Sequence, residues 1–222
     1  MPKSVSVCLS FDFDAMSVWL TTMRSRSLST VSRGEFGKVG TERLLDTLSR
    51  YQVPSSWFIP GHTIETFPDL VKRVADAGHE IGHHGYCHEN PASVKPDEEQ
   101  RILERGIACI RRTTGKNPIG YRSPAADLSP HSVSLLVEFG FLYDSSMMAN
   151  DFTPYYCRVG DDMRTDGPYV FDIERHVPVR IGGVMDLFAQ LSQVVVKRNP
   201  LVLDDRHLTN YQKRSNTDVA DG

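Results

Sequence analysis

The chain has 222 residues, 40% hydrophobic and 24% charged, with a formal net charge of -3 from 25 basic and 28 acidic side chains. That composition supports a packed globular core and excludes global disorder or a fibrous repeat. Without a basic excess a nucleic-acid partner is not expected, and no apolar run approaches the ~18 residues of a membrane-spanning helix.

Ser4 to Phe11 alternates Val, Cys and Leu with Ser and reads as a strand. Its short alternating run ends at a carboxylate, unlike the continuous core of a leader peptide. Residues 15–40 are rich in Ser, Gly and Arg without periodicity and read as a long loop. Thr41 to Tyr51 places Leu44, Leu45 and Leu48 on one helical face, and Ser56-Trp57-Phe58-Ile59 is a buried-strand run closed by Pro60-Gly61. Pro68 to Ala77 is a helix opened by proline and stopped by Gly78. A strand runs from His79 to Gly85, a long helix from Asp97 to Thr113, and a short strand from Ile119 to Arg122. Ser129 and Pro130 fit the N-cap and first position of a further helix, and Phe141 to Ser145 is the next strand.

Regular alternation of strand and helix means a parallel sheet with crossover helices, open or closed into a barrel. Beyond about residue 150 the pattern weakens. Residues 1–170 are therefore taken as the domain core, 171–205 as its divergent end, and 206–222 as a disordered tail. Cys8, Cys87, Cys109 and Cys157 are scattered without a CxxC and are expected as free thiols, which with the absence of a leader places the protein in the cytoplasm.

Two clusters carry chemistry. Asp12 and Asp14 stand at i and i+2 at the end of the first strand, on one face and roughly 6.6 Å apart along it. Functional groups of parallel sheets collect beyond such carboxyl ends; a solvated strand terminus or helix N-cap is the plainer alternative. The second cluster, Gly82 to Pro91, holds His84 and His88. On a straight strand they would be about 13 Å apart, too far to share a metal, so the chain must bend, as Gly85 and Asn90-Pro91 allow. Two imidazoles and a carboxylate leave positions open for water and substrate, as a catalytic metal requires. A hydrogen-bonded loop is the alternative, and Cys87 is a less favoured sulfur ligand.

The segments Ser10 to Ala15, Gly61 to Pro68, His79 to Pro91 and Asn150 to Tyr156 resemble the polysaccharide deacetylase (NodB-homology, carbohydrate esterase) superfamily, in its branch of intracellular peptidoglycan-deacetylase-like proteins and cyclic imidases. The resemblance implies an irregular (β/α) barrel and hydrolysis of a non-peptide C–N bond. It puts the metal ligands on Asp14, His84 and His88, the catalytic base on Asp12, and the arginine that holds the base on Arg122 of Arg122-Ser123-Pro124. The implied cofactor is a divalent metal, zinc first, with cobalt or manganese as alternatives. Trp19 and Tyr155 are candidates to face substrate. The substrate is a glycan such as chitin or peptidoglycan, or a small cyclic imide or ureide.

The chain departs from the family pattern in its last part. The leaving-group histidine of a Leu-x-His segment has no counterpart: His131, His176 and His207 stand in other contexts, and Leu203-Asp204-Asp205 is a faint echo of the Asp/Trp motif. The barrel is thus expected to be incomplete at its C-terminal end, with unpaired strand edges that favour pairing in a homo-oligomer. A non-catalytic metal-binding or interaction remnant is the alternative function. A nucleotide-binding doubly wound fold lacks its Gly-rich loop.

Overall fold

A computed structural model of the chain describes residues 7–149, 155–172 and 175–181. Seven strands form one sheet: β1 (Leu9–Asp12), β2 (Ser55–Ile59), β3 (Glu80–His83), β4 (Gly120–Tyr121), β5 (Tyr143–Asp144), β6 (Tyr155–Arg158) and β7 (His176–Ile181). Their order is β1-β2-β3-β4-β5-β7-β6. Neighbours are parallel throughout except β6, which runs antiparallel to β7. The helices are α1 (Leu28–Val31), α2 (Phe36–Tyr51), α3 (Gly61–Thr66), α4 (Pro68–Asp76), α5 (Pro96–Thr114) and α6 (Ser132–Glu138). Among the described residues the result is an open, mostly parallel sheet with crossover helices, the arrangement of half a barrel.

β2 is buried along its whole length, with Trp57, Phe58 and Ile59 at 1% exposure or less. A parallel strand covered on both faces must be apolar on both, which is why Ser-Trp-Phe-Ile reads as a run without alternation. One core cluster joins Leu45 and Leu48 of α2, Leu70, Val71 and Val74 of α4, and Cys109 and Ile110 of α5 to Phe13, Trp57 and Ile81. A second gathers Leu103, Tyr121, Val133, Leu136, Phe141 and Cys157. α5 lies close on β3: a Cβ at Gly106 would come 2.1 Å from Nε2 of His83, so this helix position needs glycine. Proline opens α5, Asp97, Glu98 and Glu99 occupy its first turn, and Gly115 ends it at φ 74°. Those charges complement the helix dipole, and the left-handed residue needs no Cβ.

Several boundaries differ from those read in the sequence. The strand expected over Ser4–Phe11 runs from Leu9 to Asp12, and residues 1–6 lie outside the described part. The stretch 15–40 is not a loop. It holds a π-helical turn, Val18–Thr22, then α1, a 3-10 turn at Ser32–Glu35, and the first turns of α2. Gly37 disguises the start of α2, because glycine weakens the helical signal. The packing demands it: a Cβ there would meet the Phe13 ring at 2.8 Å. Ser129 caps as expected, accepting from the N–H groups of His131 and Ser132, but the helix begins two residues beyond the expected N1, at Ser132. α3 was not expected, and β6 and β7 lie where no strand–helix repeat was legible. The tail expected at 206–222 lies outside the described residues, as does His207.

Candidate metal and active site

β1 to β4 are successive parallel neighbours, so the carboxyl ends of β1, β3 and β4 deliver Asp12, His83 and Tyr121 to one rim, with β2 between the first two. Asp14, His84 and Arg122 follow within two residues. The backbone of Asp14 is pinned by its carbonyl, which accepts from the Ser17 N–H, the Ser17 hydroxyl and the Thr63 hydroxyl.

The required bend between His84 and His88 is present. Gly85 takes φ 72° and His88 φ 61°. The carboxylate of Glu89 accepts from the N–H groups of Tyr86 (2.9 Å) and Cys87 (2.8 Å), closing the turn. The first N–H groups of α3, on Gly61 and His62, donate to the carbonyls of Gly85 and Tyr86 and clamp it from the other side. His88 thereby returns to Asp14, and one ligand atom each from Asp14, His84 and His88 lies within 4.8 Å of the others.

The second nitrogen of each ring is already committed. Nδ1 of His84 lies 2.7 Å from the Arg122 carbonyl, which can only accept, so Nδ1 carries the proton. The Thr22 hydroxyl gives its proton to the His88 carbonyl, so Nδ1–H of His88 donates to it over 2.7 Å. That leaves each Nε2 turned toward Asp14, at 3.4 and 3.5 Å. Oδ1 of Asp14 is buried without a hydrogen-bond partner. Two imidazole nitrogens and a carboxylate oxygen converging in this way are a donor set that a divalent cation satisfies. Burial, with Asp12 adding to it, raises the Asp14 carboxyl to about 6, while His84 and Arg122 oppose the rise. Burial lowers His88, favouring the neutral ring that can ligate.

Asp12 is held separately. Nη1 of Arg122 meets its Oδ1 at 2.5 Å, and Nη2 donates to the hydroxyls of Ser10 (2.8 Å) and Ser145 (3.1 Å). The guanidinium lies over the Phe58 ring, 4.1 Å from its centroid, and its side chain is only 5% exposed. Burial on this scale demands full pairing of a charge, and the bonds to Asp12, Ser10 and Ser145 supply most of it.

Asp12 and Asp14 line a cavity of about 240 Å³ with Trp19, Arg33, Phe36, Gly37, Leu44 and Trp57, among others. Trp19 therefore stands beside the two carboxylates. Tyr155 lies outside that lining: it packs on the second core cluster and its hydroxyl accepts from the Ala149 N–H. Cys87 is not among the converging atoms, and burial raises its thiol. Thr22, Glu89, Ser10 and Ser145 went unnoticed in the sequence. Glu89 alone left a trace there, as a carboxylate next to His88.

The family model for polysaccharide deacetylase matches residues 17–143. The chain belongs to the polysaccharide deacetylase family. That span takes in His84, His88 and Arg122 and begins just after Asp14. The chain is 45% identical over 163 residues to a peptidoglycan deacetylase of Helicobacter pylori, covering 72% of this chain and 56% of that one. It is 43% identical over 163 residues to a peptidoglycan deacetylase-like protein of Gibberella zeae, covering 71% and 48%. The chain thus spans about half the length of these curated relatives. A solved Mycobacterium smegmatis protein assigned as a polysaccharide deacetylase superposes with a TM-score of 0.69 at 31% identity, covering 98% of this chain and 74% of that one. Among the described residues, no helix is long and apolar enough to cross a membrane.

Proposed function

We propose that this chain is a metal-dependent hydrolase that removes the N-acetyl group from a glycan of the peptidoglycan type. The observation that carries the reading is the convergent Asp14–His84–His88 cluster, set beside an Asp12 that Arg122 holds in place. The similarity to deacetylases supports the substrate class, and the cyclic imide alternative finds no support among the curated relatives above.

Asp14, His84 and His88 would hold the cation. A bound divalent metal supplies Lewis acidity, polarising the amide carbonyl and acidifying water. Two nitrogens and one oxygen at a site with room for further ligands suit zinc, with cobalt and manganese as alternatives. Asp12 is the general base. Arg122 engages its Oδ1, which leaves Oδ2 to take the proton of the attacking water. Arg122 also holds Asp12 in orientation without itself lining the cavity. Four free thiols, Cys8, Cys87, Cys109 and Cys157, support a reducing, cytoplasmic setting.

The test is acetate release from peptidoglycan fragments and chitin oligomers by chain stripped with EDTA and reloaded with zinc, cobalt or manganese. Asp12→Asn should lose activity by about 10²–10⁴-fold, the range for removal of a general base. Unchanged release in that variant would remove Asp12 from the mechanism. Tight zinc binding without release from either glycan would leave a metal-binding module instead of an enzyme.

A further inference from the structure

The stretch between Asp14 and Glu35 carries Arg24, Arg26 and Arg33 and no acidic residue, in a chain whose net charge is -3. All three arginines are exposed, and none forms an ion pair among the described residues. Arg33 is the one that lines the cavity. Among the described residues, the only other charged side chains lining it are Asp12 and Asp14. Asp12 is paired with Arg122, and Asp14 belongs to the candidate metal cluster. Among the described residues Arg33 is therefore the cavity's one uncommitted charge.

Its position is built. A Cβ at Gly34 would stand 2.6 Å from the Ala15 carbonyl and from the Met16 nitrogen, backbone against backbone. The turn bearing Arg33 is thus pressed onto the chain directly after Asp14, and only glycine permits the approach. The guanidinium rests over the Trp19 ring, 5.7 Å from its centroid. Trp19 belongs to the π-helical turn whose last residue, Thr22, bonds His88. A cation held by a ring and a wedged turn, with no counter-charge, is a recognition group waiting for an anion.

We propose that Arg33, seated on Trp19, binds an anionic substituent of the substrate, and that the preferred substrate is an N-acetyl sugar bearing a carboxylate near the scissile amide. In peptidoglycan this describes the N-acetylmuramic acid unit with its lactyl carboxylate, as against the neutral N-acetylglucosamine. Arg24 and Arg26 would add long-range attraction for the same charge. The inference rests on the deacetylase reading for its substrate class, but its test reads binding.

Zinc-loaded chain is titrated by NMR with free N-acetylmuramic acid and with N-acetylglucosamine. Wild type should bind the acidic sugar about tenfold more tightly, the scale of one charge-assisted hydrogen bond. That ratio should collapse in Arg33→Gln, return in part in Arg33→Lys, and shrink as salt is raised. Equal affinities in the wild type, a preference that survives Arg33→Gln, or no measurable binding of N-acetylmuramic acid would each overturn the proposal. An Arg33-dependent preference without acetate release from any glycan would refute the deacetylase reading and keep this one. Release from both sugars with equal KM would do the reverse.

Discussion

His83 should make the protein acid-sensitive. Its ring is fully buried, between Tyr121 (centroids 5.6 Å apart) and Phe141 (5.8 Å) and beneath Gly106. Nε2 lies 3.2 Å from the Leu103 carbonyl, and Nδ1 accepts from the Gly85 N–H, so the neutral ring is satisfied on both sides. Burial, opposed only by the Leu103 bond, lowers its pKa from 6.5 to about 3. The unfolded chain then binds more protons wherever the pH lies between those values, so stability is lost as pH falls through 6.5 toward 3. For these two pKa values the loss between pH 8 and pH 5 is about 2 kcal/mol. Asp14 acts in the opposite sense. Its carboxyl is raised to about 6, so the metal-free protein gains stability as pH drops from there toward 4. The two effects are separated by comparing each protein with its own His83→Gln variant. Urea unfolding in EDTA is followed at pH 8, 7, 6 and 5, in wild type and in an Asp14→Asn background. The variant loses packing at every pH, which adds a constant offset. The stability gap between parent and variant should nevertheless narrow by about 2 kcal/mol on going to pH 5, by the same linkage. A gap independent of pH, or a His83 ring resonance that titrates near 6.5, would refute the reasoning.

Four further outcomes follow from the site and the core. Zinc should raise the melting temperature of wild type but not of His84→Ala, with stabilisation near 2.7 kcal/mol at about 100 times Kd. Because Asp14 takes up a proton near pH 6, the zinc-induced rise should be complete at pH 7.5 and largely gone at pH 5. Thr22→Val removes the acceptor for His88 Nδ1–H at little change in volume, and zinc affinity by competition with a chromophoric chelator should fall about 10–100-fold. Ile110→Ala opens a void between α5 and the sheet at a side chain 1% exposed, and should cost about 2–5 kcal/mol by urea midpoint.

The fold was legible where burial enforces a period. Leu45 and Leu48, Val71 and Val74, and Ile102, Cys109 and Ile110 sit on buried helical faces, and proline opens α4 and α5. The site was legible as residue types. The Asp12/Asp14 pair and the histidine run are rare patterns with a chemical reason behind them. What escaped was held by contacts distant in sequence. Thr22 reaches His88 across 66 positions, and Ser10 reaches Arg122 across 112. Such bonds leave no periodicity to read. The stretch 15–40 looked like a loop because the features that fix it, Gly34 against Ala15 and Gly37 against Phe13, are close approaches. Those approaches demand glycine, and glycine reads locally as a breaker.

The same logic connects the strain of the metal loop to its use. His88 at φ 61° is a conformation that a non-glycine residue of a free loop would relax, and Oδ1 of Asp14 is buried unpaired. Each carries a cost of order 1–3 kcal/mol. They persist because Glu89 and Ser17, from within the loops, and Thr22, Thr63 and the Arg122 carbonyl, from distant segments, fix backbone or ring positions around them. All of these bonds converge on orienting three ligand atoms. A loop built only for packing would have shed the unpaired carboxylate. The arrangement makes sense if binding a cation recovers that cost, so that folding first sets the geometry and the metal then stabilises it by mass action.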